Sequence, residues 1–170
     1  MLERIGRAQL PFTGCASAFV FNDDTGSIVR VYKDQGERRL AAVMADYMSR
    51  VVSPSWPIQA VTFVPATKAA VRHRGFDHAQ LLAEEVATRL DRACVEMLDR
   101  PRNLDQRQLG GRDRIANMSG RFSAHDESLP EQSLLLVDDV FTTGATLCAA
   151  TDALLQAGAS SVYCLTFARV

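Results

Sequence analysis

Leu134-Leu135-Leu136-Val137-Asp138-Asp139-Val140-Phe141-Thr142-Thr143-Gly144-Ala145-Thr146 joins an apolar run, a pair of adjacent acids and a hydroxyl-rich turn. The run from Leu134 to Val137 has no polar alternation, as expected of a parallel strand covered on both faces. Asp138 and Asp139 are therefore predicted at the carboxyl end of a strand, where open α/β sheets receive ligands. Two neighbouring carboxylates in a wet crevice accept hydrogen bonds from a vicinal diol, or hold a divalent cation directly or through water. A hydrophobic core has no use for either. Thr142, Thr143, Gly144, Ala145 and Thr146 follow, with successive backbone N–H groups, three hydroxyls and a glycine for close approach. Leu147, Ala150 and Leu154 then recur at helical spacing, so the turn opens a helix whose N-terminus favours a phosphate dianion. Capping that helix needs one Asp and one Thr. The surplus implies a sugar-phosphate ligand.

At 170 residues and 47% hydrophobic, the chain suits one well-buried domain spanning 1–170 and is short for two. Nineteen basic and twenty acidic residues give a net charge of −1, so the molecule as a whole has no electrostatic footprint for nucleic acid. Cys15, Cys94, Cys148 and Cys164 lack any C-x-x-C spacing, which predicts buried free thiols rather than a metal site. No basic-then-apolar leader and no apolar stretch of about eighteen residues occurs, so no membrane segment is expected and the cytoplasm is the natural compartment.

Working outward, Ser17–Phe21 and Ile28–Tyr32 read as two strands around Asn22-Asp23-Asp24-Thr25-Gly26, a hairpin signal. Leu40, Val43, Met44, Tyr47, Met48 and Val51 recur at helical spacing between Glu37 and Val52. Ala60–Val64 reads as a buried strand ended by Pro65. Asp77 is an N-cap for a helix whose apolar face is Ala79, Leu82, Ala83, Val86 and Leu90. Val95–Leu98 reads as a short strand, Thr146 to about Ala157 as a helix closed by Gly158, and Val162–Ala168 as a last strand. Strands alternating with helices predict an α/β fold with a mostly parallel central sheet flanked by helices.

Two further segments follow predicted strand ends. Pro65–Gly75 carries Lys68, Arg72 and Arg74 and no acid, a density of cations suited to a pyrophosphate. Arg100, Arg102, Arg107, Arg112, Arg114 and Arg121 stand against Asp105 and Asp113 in a polar stretch with Gly110 and Gly111 at its middle. A long cationic loop of that kind predicts a flexible lid that excludes water and stabilises a departing anion. The alternative for Arg100–Arg121 is a surface linker or a local patch for nucleic acid.

The Asp138-Asp139 to Thr146 stretch resembles the phosphoribosyl pyrophosphate (PRPP) fingerprint of type I phosphoribosyltransferases. By that resemblance the acid pair holds the ribose hydroxyls and Thr142–Thr146 the 5′-phosphate. Arg74-Gly75-Phe76 with Ala79 and Leu82-Ala83 is similar to the helix entry of the ComF/GntX competence-type phosphoribosyltransferase-like proteins. Gln106, Leu109, Arg114, Asn117, Gly120 and Phe122 match that family's lid pattern, and Tyr32-Lys33 with Gly36 resembles its early lysine-containing turn.

The resemblance, over roughly residues 15–168, implies a type I phosphoribosyltransferase fold with a small N-terminal hood at 1–35. It implies PRPP or a ribose 5-phosphate-type ligand, with Mg2+ held by Asp138 and Asp139 directly or through water. Thr67, Lys68, Arg72 and Arg74 would bind the pyrophosphate, and Arg112 and Arg114 would close over it. DNA-uptake or DNA-processing proteins are the partners it suggests.

Three departures stand out. The family's N-terminal zinc ribbon has no counterpart in this chain, by truncation or by nature. Asp77-His78 replaces a common Asn-Gln, with His78 expected at a helix start facing solvent. Ala69-Ala70 replaces a common basic pair, which thins the pyrophosphate segment.

Overall fold

The computed structural model describes residues 10–100, 122–124 and 132–170. Its elements are β1 (Gly14–Val20), α1 (Asp23–Asp34), α2 (Leu40–Arg50), β2 (Ala60–Phe63), α3 (Lys68–Arg74), α4 (His78–Leu90), β3 (Ala93–Cys94), β4 (Ser133–Phe141), α5 (Ala145–Gln156) and β5 (Ser161–Arg169). The five strands form one sheet in the order β1-β5-β4-β2-β3, and every pairing is parallel. Leu134, Leu135, Leu136 and Val137 are all buried, which is why the run lacks alternation: β4 is central and helices cover both its faces.

Alternate residues of β4 feed two cores. Leu135 and Val137 join Val61, Phe63 and the apolar faces of α2 and α4. Leu134 and Leu136 join Ala60, Val64 and the face of α5 formed by Leu147, Ala150 and Leu154. Successive helices after β2 and β4 thus lie on opposite sides of the sheet, and the crevice between those strand ends is a topological switch point. β2 pairs with β4 only as far as Phe63↔Val137. β4 runs on beside β5 through Asp138↔Thr166 to Phe141↔Arg169. The acid pair therefore sits inside a strand longer than the predicted one, at the point where its partner on the other side stops.

The expected hairpin is absent: Ile28–Tyr32 lies in α1. Asn22 accepts the Thr25 N–H and Thr25 Oγ1 accepts the Asn22 N–H, a reciprocal capping box. Asp23 and Asp24 occupy the positive first turn of the helix. Asn-Asp-Asp-Thr-Gly serves as a turn signal or a cap signal, and burial of Thr25, Val29 and Tyr32 at helical spacing decides for the helix. Gly26 survives in the helix because the Phe21 ring lies over it, where a Cβ would come within 2.8 Å of Phe21 Cζ.

Other differences are smaller. The short strand after α4 is Ala93–Cys94, while Leu98 makes only an antiparallel bridge to Ala124. Pro65–Gly75 contains a short helix, capped by Thr67 at its start and by left-handed Gly75 (φ 78°) at its end. The four cysteines are free, but Cys15 is exposed and Cys94 half-buried. Phe12 packs edge-on against Phe141 with centroids 6.4 Å apart. Among the described residues no helix is long and apolar enough to cross a membrane.

Candidate functional site

Asp138 and Asp139 stand side by side on β4, with carboxyl oxygens close enough to share one ligand. Asp139 is 3% exposed and enters the α1/α4 side. There the Lys33 ammonium, from the last turn of α1, donates to Asp139 Oδ2 at 2.6 Å. His78 Nε2 lies 3.8 Å from the same oxygen. Asp138 is half-buried and accepts the Asp139 backbone N–H at 2.8 Å.

The two carboxyls are driven apart electrostatically. Burial, and then the Asp139 charge beside it, push Asp138 well above the ordinary carboxylate range. Burial alone would raise Asp139 too, but the Lys33 ammonium, with His78 beside it, overrides this and holds Asp139 low. His78 is pushed down to about 4, chiefly by burial, with Asp139 opposing. Its expected place facing solvent is wrong: His78 is 6% exposed.

Arg74 Nη1 lies 3.3 Å from His78 Nδ1. A guanidinium only donates, so Nδ1 accepts and the neutral ring carries its proton on Nε2, toward Asp139. His78, Asp138 and Asp139 bring three potential ligand atoms within 4.8 Å of one another. That tautomer withdraws the imidazole from coordination and leaves the oxygens of Asp138 and Asp139, hard donors that would suit Mg2+.

Sequence signatures far apart in the chain converge here. Tyr32 donates its hydroxyl to His78 O at 2.6 Å, and its ring meets Phe76 edge-on at 5.9 Å. Arg38 stacks over the Phe76 ring at 4.8 Å and donates to Gly75 O at 2.9 Å. The Tyr32-Lys33 turn and the Arg74-Gly75-Phe76 entry are thus two halves of one contact, which aims Lys33 at Asp139. Lys33 was missed as a site residue; its only signal in the sequence was the resemblance of that turn.

On the other side of β4, Thr142 and Thr143 are exposed and Thr146 is half-buried at the start of α5. Gly144 has φ 82°, and a Cβ there would fall 2.8 Å from Phe141 Cζ. The turn therefore needs glycine twice over, for conformation and for space. Thr143 Oγ1 accepts the Ala145 N–H at 3.3 Å, while among the described residues the Thr142 and Thr146 hydroxyls have no protein partner. Lys68 and Arg72 are exposed on α3 at i, i+4 spacing. Arg74 instead turns inward to His78 and, at 3.7 Å, to Asp34.

Arg112 and Arg114 lie outside the described residues, as does the rest of the predicted lid from 101 to 121. Its flanks are visible: Asp99 N–H donates to Ser123 O at 2.7 Å, and Phe122 is buried in the α5-side core.

The all-parallel sheet, with an acid pair and a hydroxyl-rich glycine turn at its switch point, has the type I phosphoribosyltransferase fold. A family model described as the phosphoribosyl transferase domain matches residues 76–170. The chain belongs to the phosphoribosyl transferase domain family, as a ComF-type phosphoribosyltransferase-like member.

It is similar to competence protein ComFC of Bacillus subtilis (strain 168), at 30% identity over 90% of this chain and 63% of that protein. ComFC of Streptococcus pneumoniae (strain ATCC BAA-255 / R6) is 26% identical over 89% of this chain and 66% of that one. The chain thus spans just under two thirds of these relatives' lengths. Among solved structures, the allosteric regulatory enzyme of purine biosynthesis shares the fold with a TM-score of 0.50 at 21% identity, over 76% of this chain and 25% of that one.

Proposed function

We propose that this chain binds PRPP with Mg2+ and transfers its phosphoribosyl group to a nitrogen nucleophile, releasing pyrophosphate. The observation that carries this is the joint placement of the acid pair and the open Thr142–Thr146 turn at the end of the central strand. Asp138 and Asp139 would engage the ribose hydroxyls, and the turn would hold the 5′-phosphate through backbone N–H groups and the hydroxyls of Thr142 and Thr146. Thr67, Lys68 and Arg72 would face the pyrophosphate, with Arg74 bracing His78 behind them and Arg112 and Arg114 completing the cationic side. Mg2+, when bound by Asp138 and Asp139 directly or through water, would neutralise charge on the leaving group. Positioning and charge stabilisation carry the remaining catalysis, so no general base is required of the chain. Such chemistry suits the cytoplasm, where thiols stay reduced.

A second reading is favoured by the names of the two relatives: an accessory protein of competence that keeps the fold and phosphate site without catalysis, acting with DNA-uptake or DNA-processing proteins. Calorimetric titration with PRPP, with and without Mg2+ and against ribose 5-phosphate, tests the first. Metal-dependent binding tighter than the control, followed by pyrophosphate release with an amine or nucleobase, is expected. Binding without turnover would favour the accessory role, and no binding would defeat the PRPP assignment.

A further inference from the structure

The turn between β2 and α3 is held from beneath by a charge that the reaction above does not use. Asp77 is 6% exposed. Its Oδ1 accepts the Ala79 and Gln80 N–H groups at 3.1 and 3.3 Å, which caps α4. Its Oδ2 accepts the Ala66 N–H at 2.9 Å and the Arg100 guanidinium at 2.5 Å. The same Arg100 nitrogen donates to Ala66 O at 3.2 Å. Both backbone polar groups of Ala66 are therefore bound to one largely buried ion pair, and Pro65 before it has no N–H to compete. Thr67 and Lys68 form the outward part of the turn.

Asparagine would cap α4 as well as aspartate does. It could not also serve Ala66 and Arg100, because its amide nitrogen would be a donor facing two donors. Either flip of the amide forfeits one of the two tasks. The carboxylate is thus needed by the turn and not by the helix.

We propose that Asp77, charge-paired with Arg100, is a positioning residue that fixes the Ala66–Thr67 turn for the pyrophosphate half of PRPP, a ligand assignment that rests on the function proposed above. The test uses Asp77→Asn and Arg100→Gln in the full chain, with amide exchange as one readout and calorimetry with Mg2+–PRPP and with ribose 5-phosphate as the other. Losing a hydrogen bond to a charged group should speed Ala66 exchange about tenfold and weaken PRPP about tenfold, while ribose 5-phosphate, held at the β4 turn, changes by less than about twofold. Leu82–Val86 in α4 should keep wild-type protection. An unchanged Ala66 amide in both variants overturns the proposal whether or not PRPP binds. Equal losses for both ligands overturn it as well, since they mark a general loss of structure. If the wild type ignores PRPP while both variants loosen Ala66, the clamp is supported and its ligand, with the proposed function, is refuted.

Discussion

The turns after β4 and β2 face the same crevice but are built on opposite terms. The β4 turn leaves the Thr142 and Thr146 hydroxyls unengaged among the described residues, and its shape rests on the left-handed Gly144 under the Phe141 ring. The β2 turn is bound inward through Ala66 to Asp77 and Arg100. One leaves its hydroxyls open and depends on steric detail; the other is held by charge and depends on partners distant in sequence. A substitution should therefore disturb the first through shape and the second through electrostatics.

Removing the element both turns share should have the largest effect. Asp138→Asn with Asp139→Asn should lower PRPP affinity by about 100-fold or more through lost charge-assisted hydrogen bonds; unchanged affinity by calorimetry would sink the assignment. Gly144→Ala breaks the comparison on the shape side. A strained φ and the contact with Phe141 should weaken PRPP and ribose 5-phosphate together, by about tenfold. If PRPP alone weakens, the β4 turn is not the common phosphate site.

His78→Gln sharpens the buried side. The folded imidazole sits at about 4 against an ordinary 6.5, so between those values the unfolded chain takes up a proton that the folded one refuses. Stability from this group is complete above pH 6.5 and is lost as pH falls toward 4. Urea unfolding at pH 7.5 and 5 should show the wild type losing on the order of 1 kcal/mol more than the glutamine variant. An equal loss in both would place the pH response elsewhere. Lys68→Ala should do least: about a threefold loss of PRPP affinity, shrinking as salt is raised, because its charge is exposed. Salt-independent weakening would contradict a purely electrostatic role.

What could be read from the sequence follows the same division. The strand, the position of the acid pair at its end and the glycine turn into α5 were legible because each is decided within about ten residues by burial pattern and turn chemistry. The Asp77 cap was legible for the same reason. Its second carboxylate oxygen was not, because Ala66 and Arg100 reach it only in the folded chain. Lys33 and His78 were obscured in the same way, the one by 106 residues of separation from Asp139, the other by burial that nothing in its neighbours announces. α1 was misread because a hairpin turn and a capping box use the same Asn, Asp, Thr and Gly letters.

Twice in this fold a phenylalanine at the end of a strand lies over a glycine close after it: Phe21 over Gly26, and Phe141 over Gly144. Alanine at 26 or 144 meets the ring, and trimming the ring leaves a hollow beside the glycine. Changes at Gly144 and at the buried Phe141 should therefore couple in a double-mutant cycle, whereas the 40%-exposed Phe21 ring has room to swing clear of a Cβ at 26.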